Sequence, residues 1–197
     1  MKVTAFNGSP RKNGNTSIAL NIINEQLEKA DIKTETLQIG GKNINPCKAC
    51  EKCRKVKDGF CHGYRDNEGD ILNNCLKKIY KSKGLIIASP VYFGSVTPEV
   101  KSLIDRVGYC ARSTGGDNLL KRKVCTGIAV VRRQGAGTTL EQINNLFALC
   151  EVIVPYSSYW NMAMGKEKGE ILNDKEGINT LKKLGDNMAW LLKKLYS

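Results

Sequence analysis

Four cysteines lie close together in one short stretch of the sequence. Cys47, Cys50 and Cys53 are separated by two residues each, and Cys61 follows after seven more. Three thiolates at this spacing can bind three corners of one cubane iron–sulfur cluster, with a fourth ligand from further along the chain. Zinc sites more often use two separated pairs of ligands. The spacing favours an iron–sulfur cluster, with a zinc site or a loop without metal as alternatives.

A loop near the N-terminus has the composition of a phosphate site. The loop from Gly8 to Ser17 reads Gly-Ser-Pro-Arg-Lys-Asn-Gly-Asn-Thr-Ser and leads into a predicted helix. Free backbone N–H groups and the helix dipole favour an anion at such a point. The loop has neither the three spaced glycines of a dinucleotide fingerprint nor the Gly-Lys-Ser/Thr of a P-loop. The alternative is an ordinary turn in which Asn15 or Thr16 caps the helix.

Two further loops have residue types that suit a flat ring. Residues 90–94, Pro-Val-Tyr-Phe-Gly, place two aromatic side chains beside a glycine, which can wall a ring and let it approach the backbone. Residues 133–135, Arg-Gln-Gly, offer donors suited to the polar edge of a ring. Alternatively, Tyr92 and Phe93 pack over the edge of a sheet and the second loop is a flexible turn.

The elements that must position these residues alternate between strands and helices. Short β-prone runs predict strands over 2–6, 34–39, 84–89, 126–131 and 152–154, of which 84–89 is apolar enough to be buried on both faces. Amphipathic spacing predicts helices over 17–31, 71–80, 98–107, 140–150 and 178–195. Five alternating pairs indicate a doubly wound α/β domain with a parallel sheet. Such sheets bind ligands at the carboxyl ends of their strands, where the three loops above lie.

Length and composition predict one domain over residues 1–197. The chain has 31 Lys and Arg against 19 Asp and Glu, a formal charge of +12, with 41% hydrophobic residues. These values exclude collagen-like and disordered classes. The basic residues are dispersed along the chain, which disfavours a nucleic-acid partner. We expect no signal peptide and no membrane span, hence a cytoplasmic protein with reduced thiols.

The connection over residues 40–70 is a cysteine-rich insertion after the second strand. Its length of about 30 residues exceeds the roughly 2–6 that such loops usually have, which points to a function. The segment 42–65 is strongly basic, and an acidic redox protein such as a ferredoxin would complement it. This segment has two acidic residues, Glu51 and Asp58. It has seven basic residues: Lys42, Lys48, Lys52, Arg54, Lys55, Lys57 and Arg65.

The remaining cysteines are predicted to be small core residues. Cys75 and Cys150 fall on apolar helix faces, Cys125 begins a strand and Cys110 follows a helix. Trp190 is assigned to the core by its spacing in the last helix. Trp160 is expected in an extended loop after the last strand, either packed or covering a ring.

Together, these motifs resemble one known family. The Gly-Ser-Pro-Arg…Gly-Asn-Thr-Ser loop, the Ser-Pro-Val-Tyr-Phe-Gly loop with Lys-Ser-Leu-Ile-Asp-Arg at 101–106, and the five-strand layout look like the flavodoxin-like NAD(P)H-dependent FMN reductase superfamily. The cysteine spacing and the segment 157–163 are similar to its iron–sulfur flavoprotein branch. This resemblance implies a five-stranded sheet of order 2-1-3-4-5, a ferredoxin donor and a homodimer or homotetramer in which one subunit's cluster faces another's flavin.

The function predicted from this resemblance is an FMN-dependent oxidoreductase that carries a [4Fe-4S] cluster. FMN performs the chemistry, so no catalytic acid or base is required. The cluster ligands would be Cys47, Cys50, Cys53 and Cys61. The FMN phosphate would be bound by Ser9, Arg11, Asn15, Thr16 and Ser17, and its ring would lie against Pro90, Val91, Tyr92, Phe93, Gly94, Arg133, Gln134 and Gly135.

Two other functions are compatible with the sequence. One is an NAD(P)H-dependent reductase of flavin, quinone or nitro compounds, with NAD(P)H as co-substrate, a small-molecule electron acceptor and a purely structural cysteine loop. The other is a basic nucleic-acid-binding or zinc-stabilised interaction module. The loops suited to a flavin disfavour the second.

Overall fold

A computed structural model describes residues 1–64 and 69–196. Arg65, one of the basic residues counted above, lies outside this range. The strands are β1 (Lys2–Asn7), β2 (Lys33–Gln38), β3 (Gly84–Pro90), β4 (Val124–Val131) and β5 (Met162–Met164). The helices are α1 (Asn15–Lys29), α2 (Lys52–Val56), α3 (Leu72–Lys81), α4 (Pro98–Ala111), α5 (Ala136–Leu149) and α6 (Lys175–Tyr196), with a 3-10 turn at Glu170–Asn173.

The sheet is parallel and has the order β2-β1-β3-β4-β5. This confirms the predicted flavodoxin-like class, with the cysteine-rich insertion between β2 and α3. The winding direction reverses between β1 and β3, so their carboxyl ends open a crevice there. The loops that follow β1 and β3 are those predicted to bind phosphate and a ring.

Helices cover both faces of the sheet because its central strands are apolar on both sides. On β3, Leu85 and Ile87 face one side, and Ile86 and Ala88 face the other. The first side packs against α3, α4 and α5, and the second against α1 and α6. α4 therefore runs along the same face as the insertion and brings its side chains to the cysteine loop.

The prediction of a fifth strand over 152–154 is wrong. Ile153 forms one isolated bridge beside Val124, and the chain then leaves the sheet at Pro155, which has no backbone N–H to offer. The edge strand is instead Met162–Met164, paired with residues 129–131 of β4. Asn161 anchors this return: its carbonyl accepts from the N–H of Ala129 at 3.0 Å and its amide donates to the Thr126 hydroxyl at 3.0 Å. Trp160 thus precedes the last strand.

The assignment of Trp190 to the core is also wrong, since its side chain is 62% exposed. The buried face of α6 is made by Leu181, Leu184, Met188 and Leu192. A position two residues after Met188 lies roughly 200° around the helix and therefore on the opposite side. Within residues 1–64 and 69–196, no helix combines the length and apolar character that crossing a membrane requires.

Candidate functional site

The four predicted cysteine ligands lie around one small cavity beside α4. Cys53 lies on α2 inside the loop and is buried, whereas Cys47 and Cys50 are exposed and Cys61 is half-buried. A fifth cysteine, Cys110 of α4, lines the same space. We call it the cysteine cavity, lined by these five cysteines with Gly63, Tyr64 and Arg106.

The backbone of the loop turns sharply around this cavity. Ala49, Glu51 and Lys57 adopt left-handed conformations with φ of 52°, 54° and 61°. Non-glycine residues in this region are strained, and such residues concentrate at functional sites. Gly63 faces the sulfurs directly: a Cβ added there would lie 3.3 Å from Sγ of Cys50 and 3.6 Å from Sγ of Cys61. A side chain at residue 63 would fill the space between the two thiols.

Arg106 connects the cavity to both ends of the loop. Its Nη2 donates to Sγ of Cys61 at 3.1 Å, and its Nη1 donates to the Asn45 carbonyl at 2.9 Å and to Oδ2 of Asp70 at 2.6 Å. Both charged side chains are buried, Arg106 at 3% exposure and Asp70 at 5%. Asp70 also accepts from the backbone and side-chain N–H groups of Asn45 at 3.1 Å. Asn45 and Asp70, near the two ends of the insertion, are therefore joined through Arg106 by buried hydrogen bonds. We call this part of the insertion the base of the loop.

These contacts shift the acidities of the groups involved. A hydrogen bond from the Cys110 thiol outweighs burial and, together with Arg106, lowers the pKa of Cys61 to about 5. Burial alone would raise the pKa of Asp70, but hydrogen bonds from Arg106, Leu72 and Asn45 lower it below its usual value. Cys61 is therefore suited to remain a thiolate, the form that binds metal.

The residues fit a metal cluster, although the space must widen to admit one. The cysteine cavity measures about 20 Å³, which is room for roughly one water. Among the described residues, no three His, Cys, Asp or Glu side chains converge on a single-ion site. A cluster distributes its ligands over several iron atoms. Two observations are consistent with a group bound there. Nε of Arg106 is buried without a hydrogen-bond partner in the described part of the chain, and the missing side chain of Gly63 leaves space between the thiols of Cys50 and Cys61.

The loop after β1 forms a second site at the N-terminus of α1. Gly14 precedes the helix, no side chain caps it, and its first turn holds no acidic residue. Thr16 and Ser9 are buried, and the Ser9 hydroxyl accepts from the N–H of Arg11 at 3.2 Å. The expectation that Asn15 or Thr16 could be the N-cap is wrong, so backbone N–H groups at the start of α1 remain available to an anion.

This second site includes cations that the sequence analysis missed. A cavity of about 190 Å³, here called the phosphate cavity, is lined by Ser9, Arg11, Asn15, Thr16, Pro90, Val91 and Tyr92 together with Arg132 and Lys166. Ser17 does not line it. Arg132 follows β4 directly and is adjacent to the predicted Arg133, so the neighbouring position was a detectable candidate. Lys166 follows β5, and the misplaced fifth strand concealed it.

Asn15 holds the segment that carries Lys166. Its side-chain amide donates to the Glu167 carbonyl at 2.9 Å, and its side-chain oxygen accepts from the N–H of Gly169 at 2.8 Å. Both ends of this carboxamide are therefore engaged within the protein. Asn15 can offer a phosphate its backbone N–H, while its side chain positions the segment opposite.

The two ring loops contact each other. Phe93 and Gly94, at φ of 49° and 74°, form the centre of a tight turn closed by the Tyr92–Ser95 pair. The Thr138 hydroxyl of α5 donates to the Gly94 carbonyl at 2.6 Å. Gly135 has φ of +92°, and a Cβ there would lie 2.8 Å from Cγ1 of Val91 and 3.0 Å from Cα of Gly94. The absence of a side chain at residue 135 permits this close approach.

The predicted ring residues are divided between two cavities. Residues 90–92 line the phosphate cavity, whereas residues 133–135 line a cavity of about 520 Å³ with Tyr159, Trp160 and Met162, here called the aromatic cavity. Trp160 is 64% exposed, and its ring lies beside that of Tyr159 with centroids 5.1 Å apart and an angle of 55° between the ring planes. Phe93 is fully exposed. The loops that line the two cavities contact each other where Gly135 approaches Gly94 and Val91.

The other four cysteines are buried, as predicted. Burial raises the pKa of Cys75 to about 12, so it is an unreactive thiol. Cys110 differs from the other three because it also lines the cysteine cavity. His62, next to Cys61, has its imidazole Nε2 3.0 Å from both carboxylate oxygens of Asp58 and does not line this cavity.

Known proteins are similar to this chain in sequence or in fold. Residues 1–167 match a family model described as NADPH-dependent FMN reductase. Two iron–sulfur flavoproteins of Methanocaldococcus jannaschii are 34% and 30% identical, each with 98% of both chains covered. RosB with a bound 8-demethyl-8-formylriboflavin-5'-phosphate intermediate has a TM-score of 0.74 at 17% identity, covering 99% of this chain and 80% of RosB. A flavodoxin, WrbA-like protein from Agrobacterium tumefaciens has a TM-score of 0.61 at 14% identity, covering 98% and 97%.

Proposed function

Since the chain belongs to the NADPH-dependent FMN reductase family, among its iron–sulfur flavoproteins, we propose that it is an FMN-dependent oxidoreductase whose loop cysteines hold a [4Fe-4S] cluster. FMN exchanges electrons singly or in pairs and the cluster singly, so together they would connect hydride chemistry to one-electron carriers. The observation that carries the proposal is that Cys47, Cys50, Cys53 and Cys61 line one cavity. Anaerobic purification, an absorption spectrum and quantified iron, sulfide and FMN test it.

The residues around the cysteine cavity would each contribute to holding the cluster. Cys47 and Cys50 are exposed on the loop and can move outward, while Cys53 and Cys61 are tied to α2 and to Arg106. The Asp70–Arg106 pair keeps the base of the loop closed against α4. Opening of the cavity is therefore expected on the solvent side, where Cys47 and Cys50 lie.

The phosphate cavity is the proposed binding site for the phosphate of FMN. Ser9 and Thr16 supply hydroxyls, the start of α1 supplies backbone N–H groups, and Arg11, Arg132 and Lys166 supply positive charge. Hydrogen bonds from charged donors are about twice as strong as neutral ones. The ring is proposed to lie against residues 90–94 and 133–135, which exclude water and orient it.

Removing a cation of the phosphate cavity should weaken the binding of FMN but not that of riboflavin. We expect Arg132→Gln and Lys166→Gln each to raise the Kd of FMN about tenfold, since a hydrogen bond to a charged group contributes about 1.5–3 kcal/mol. Riboflavin carries no phosphate, so its Kd should stay within about twofold of the wild-type value by the same reasoning. Fluorescence titration of the apoprotein with each flavin measures both constants.

Lys12→Gln is the matched control for this comparison. Lys12 is an exposed cation of the same loop and does not line the phosphate cavity. Its substitution should leave both flavin affinities unchanged. Equal losses for FMN and riboflavin in the Arg132 and Lys166 variants would place the phosphate elsewhere.

The electron donor is proposed to be a small acidic redox protein such as a ferredoxin, which docks on the basic loop beside the cysteine cavity. Lys52, Arg54, Lys55 and Lys57 are exposed around α2. Complementary charge accelerates the encounter of two proteins, and salt screens it. A thiol-rich loop needs a reducing compartment, so the cytoplasm remains our prediction for its location.

Reversing the charge of α2 should slow reduction by such a donor. We expect Lys52→Glu with Lys55→Glu to lower the second-order rate about tenfold at low salt, with little difference at high salt. Lys182→Glu with Lys183→Glu on α6 changes the net charge equally and is the control. Stopped-flow reduction by an acidic ferredoxin measures the rates, and equal effects of both pairs would exclude docking at α2.

A second candidate is an NAD(P)H-dependent reductase of flavin, quinone or nitro compounds that lacks a cluster. The small size of the cysteine cavity favours it. Protein without iron that oxidises NAD(P)H and reduces a small-molecule acceptor would establish it. For either candidate we propose a homodimer or homotetramer, since Phe93 in one ring loop and Tyr159 and Trp160 beside the other are exposed aromatic side chains.

A further inference from the structure

The sulfur of Cys61 differs from the other three predicted ligands because a charged side chain donates to it. Nη2 of Arg106 donates to Sγ of Cys61 at 3.1 Å. Among the hydrogen bonds of residues 1–64 and 69–196, Sγ of Cys47 accepts from the backbone N–H of Ala49 at 3.4 Å. Cys110 lines the same cavity, and its thiol forms hydrogen bonds with both Cys61 and Cys53. The Cys61 corner of the proposed cluster site thus carries a fixed positive charge, and Cys110 is a second donor shared with Cys53.

Both donors come from α4 and are held firmly. Cys110 and Arg106 are separated by four residues, so they lie on one face of the helix, and both are buried. Arg106 is restrained by the Asp70 carboxylate, by the Asn45 carbonyl and by its position 4.7 Å above the ring of Tyr64. The guanidinium therefore cannot turn away from the sulfur without breaking the base of the loop.

Donors and positive charge at a ligand sulfur stabilise the reduced state of a cluster, because reduction adds negative charge there. We infer that Arg106 and Cys110 are positioning residues that raise the reduction potential of the cluster, Arg106 through the sulfur of Cys61 and Cys110 through the sulfurs of Cys61 and Cys53. This inference rests on the proposed function, since it requires a cluster on these cysteines. It also makes the Cys61 corner the part of the cluster where an added electron is best stabilised.

The experiment is a redox titration of anaerobically purified holoprotein with iron quantified for every variant. Arg106→Gln removes the charge and should lower the potential by about 59 mV, a tenfold change in a one-electron equilibrium. Arg106→Lys keeps the charge and should lower it less. Cys110→Ala should lower the potential, and Cys110→Ser, which keeps an O–H donor, should restore most of it.

Two substitutions outside the cavity serve as controls. Arg112→Gln removes an exposed arginine at the end of the same helix, and Cys75→Ala removes a buried thiol on α3. Neither should change the potential. A merely structural role of Arg106 or Cys110 would alter iron content or unfolding without moving the potential of the clusters that remain.

The outcomes separate the two levels of the proposal. Wild-type protein without iron overturns the proposed function and this inference with it. Wild-type protein with iron, but with one potential shared by all Arg106 and Cys110 variants, overturns the inference alone. If Arg106→Gln fails to fold, the Cys110→Ala and Cys110→Ser pair still decides, because equal potentials in these two and the wild type contradict a role of the thiol donor.

Discussion

Replacing Cys50 by alanine is expected to remove iron from the protein while FMN stays bound. A [4Fe-4S] cluster needs four protein ligands, and three thiolates leave one iron atom exposed to exchange and loss. Iron and sulfide should fall from about four atoms each per chain to near zero, with the loss of a broad shoulder beside the flavin bands. Cys50 is exposed, so its truncation leaves the hydrophobic core unchanged.

The control for this prediction is Cys75→Ala. Cys75 is a buried thiol of α3 outside the cysteine cavity, so its loss should leave the iron content unchanged. Flavin bands without iron in the wild-type protein, purified without oxygen, would reject the cluster and favour the reductase without one. Iron retained by Cys50→Ala would remove Cys50 from the ligand set.

Replacing Gly135 by alanine is expected to raise the Kd of FMN by about tenfold or more. A non-glycine residue with positive φ costs roughly 1–2 kcal/mol, and about 1.4 kcal/mol corresponds to a factor of ten. The added Cβ would also lie 2.8 Å from Val91 and 3.0 Å from the backbone of Gly94. The loops after β3 and β4 would have to separate, which displaces the surface proposed for the ring.

Gly137→Ala is the matched comparison for Gly135→Ala. Gly137 lies two residues further on, within α5, and a Cβ added there meets no atom within 4 Å. Fluorescence titration with FMN gives both affinities, and urea unfolding of the apoproteins shows whether either substitution destabilises the fold. Unchanged FMN affinity in folded Gly135→Ala protein would mean that the ring does not depend on the contact between these loops.

α4 links the two proposed cofactor sites within one chain. The helix begins just after the ring loop, at Pro98, and contributes Arg106 and Cys110 further along its length. At 1.5 Å per residue, Arg106 lies roughly 12 Å from the helix start. The cysteine cavity is therefore set back from the carboxyl edge of the sheet.

The sequence by itself determined the features that depend on near neighbours. The spacing of Cys47 to Cys61, the loop before α1 and the β-prone runs of β1 to β4 are local patterns. Such patterns can be recognised in the sequence because ligand spacing and strand periodicity operate over a few residues. The strand order followed from the family resemblance. The prediction of the fifth strand was wrong because the three apolar residues at 152–154 resembled an edge strand. The edge strand is Met162–Met164, and the hydrogen bonds of Asn161 fix its position.

Only the tertiary structure decided which distant side chains meet. Arg106 reaches Cys61 across 45 residues of sequence, and Asn15 reaches Glu167 across 152, because the winding of the sheet and the rotation of α4 bring them together. Trp190 is exposed because the packing of α6 selects one face of that helix. Such convergence depends on how whole elements are packed, a property that no short segment of the sequence encodes.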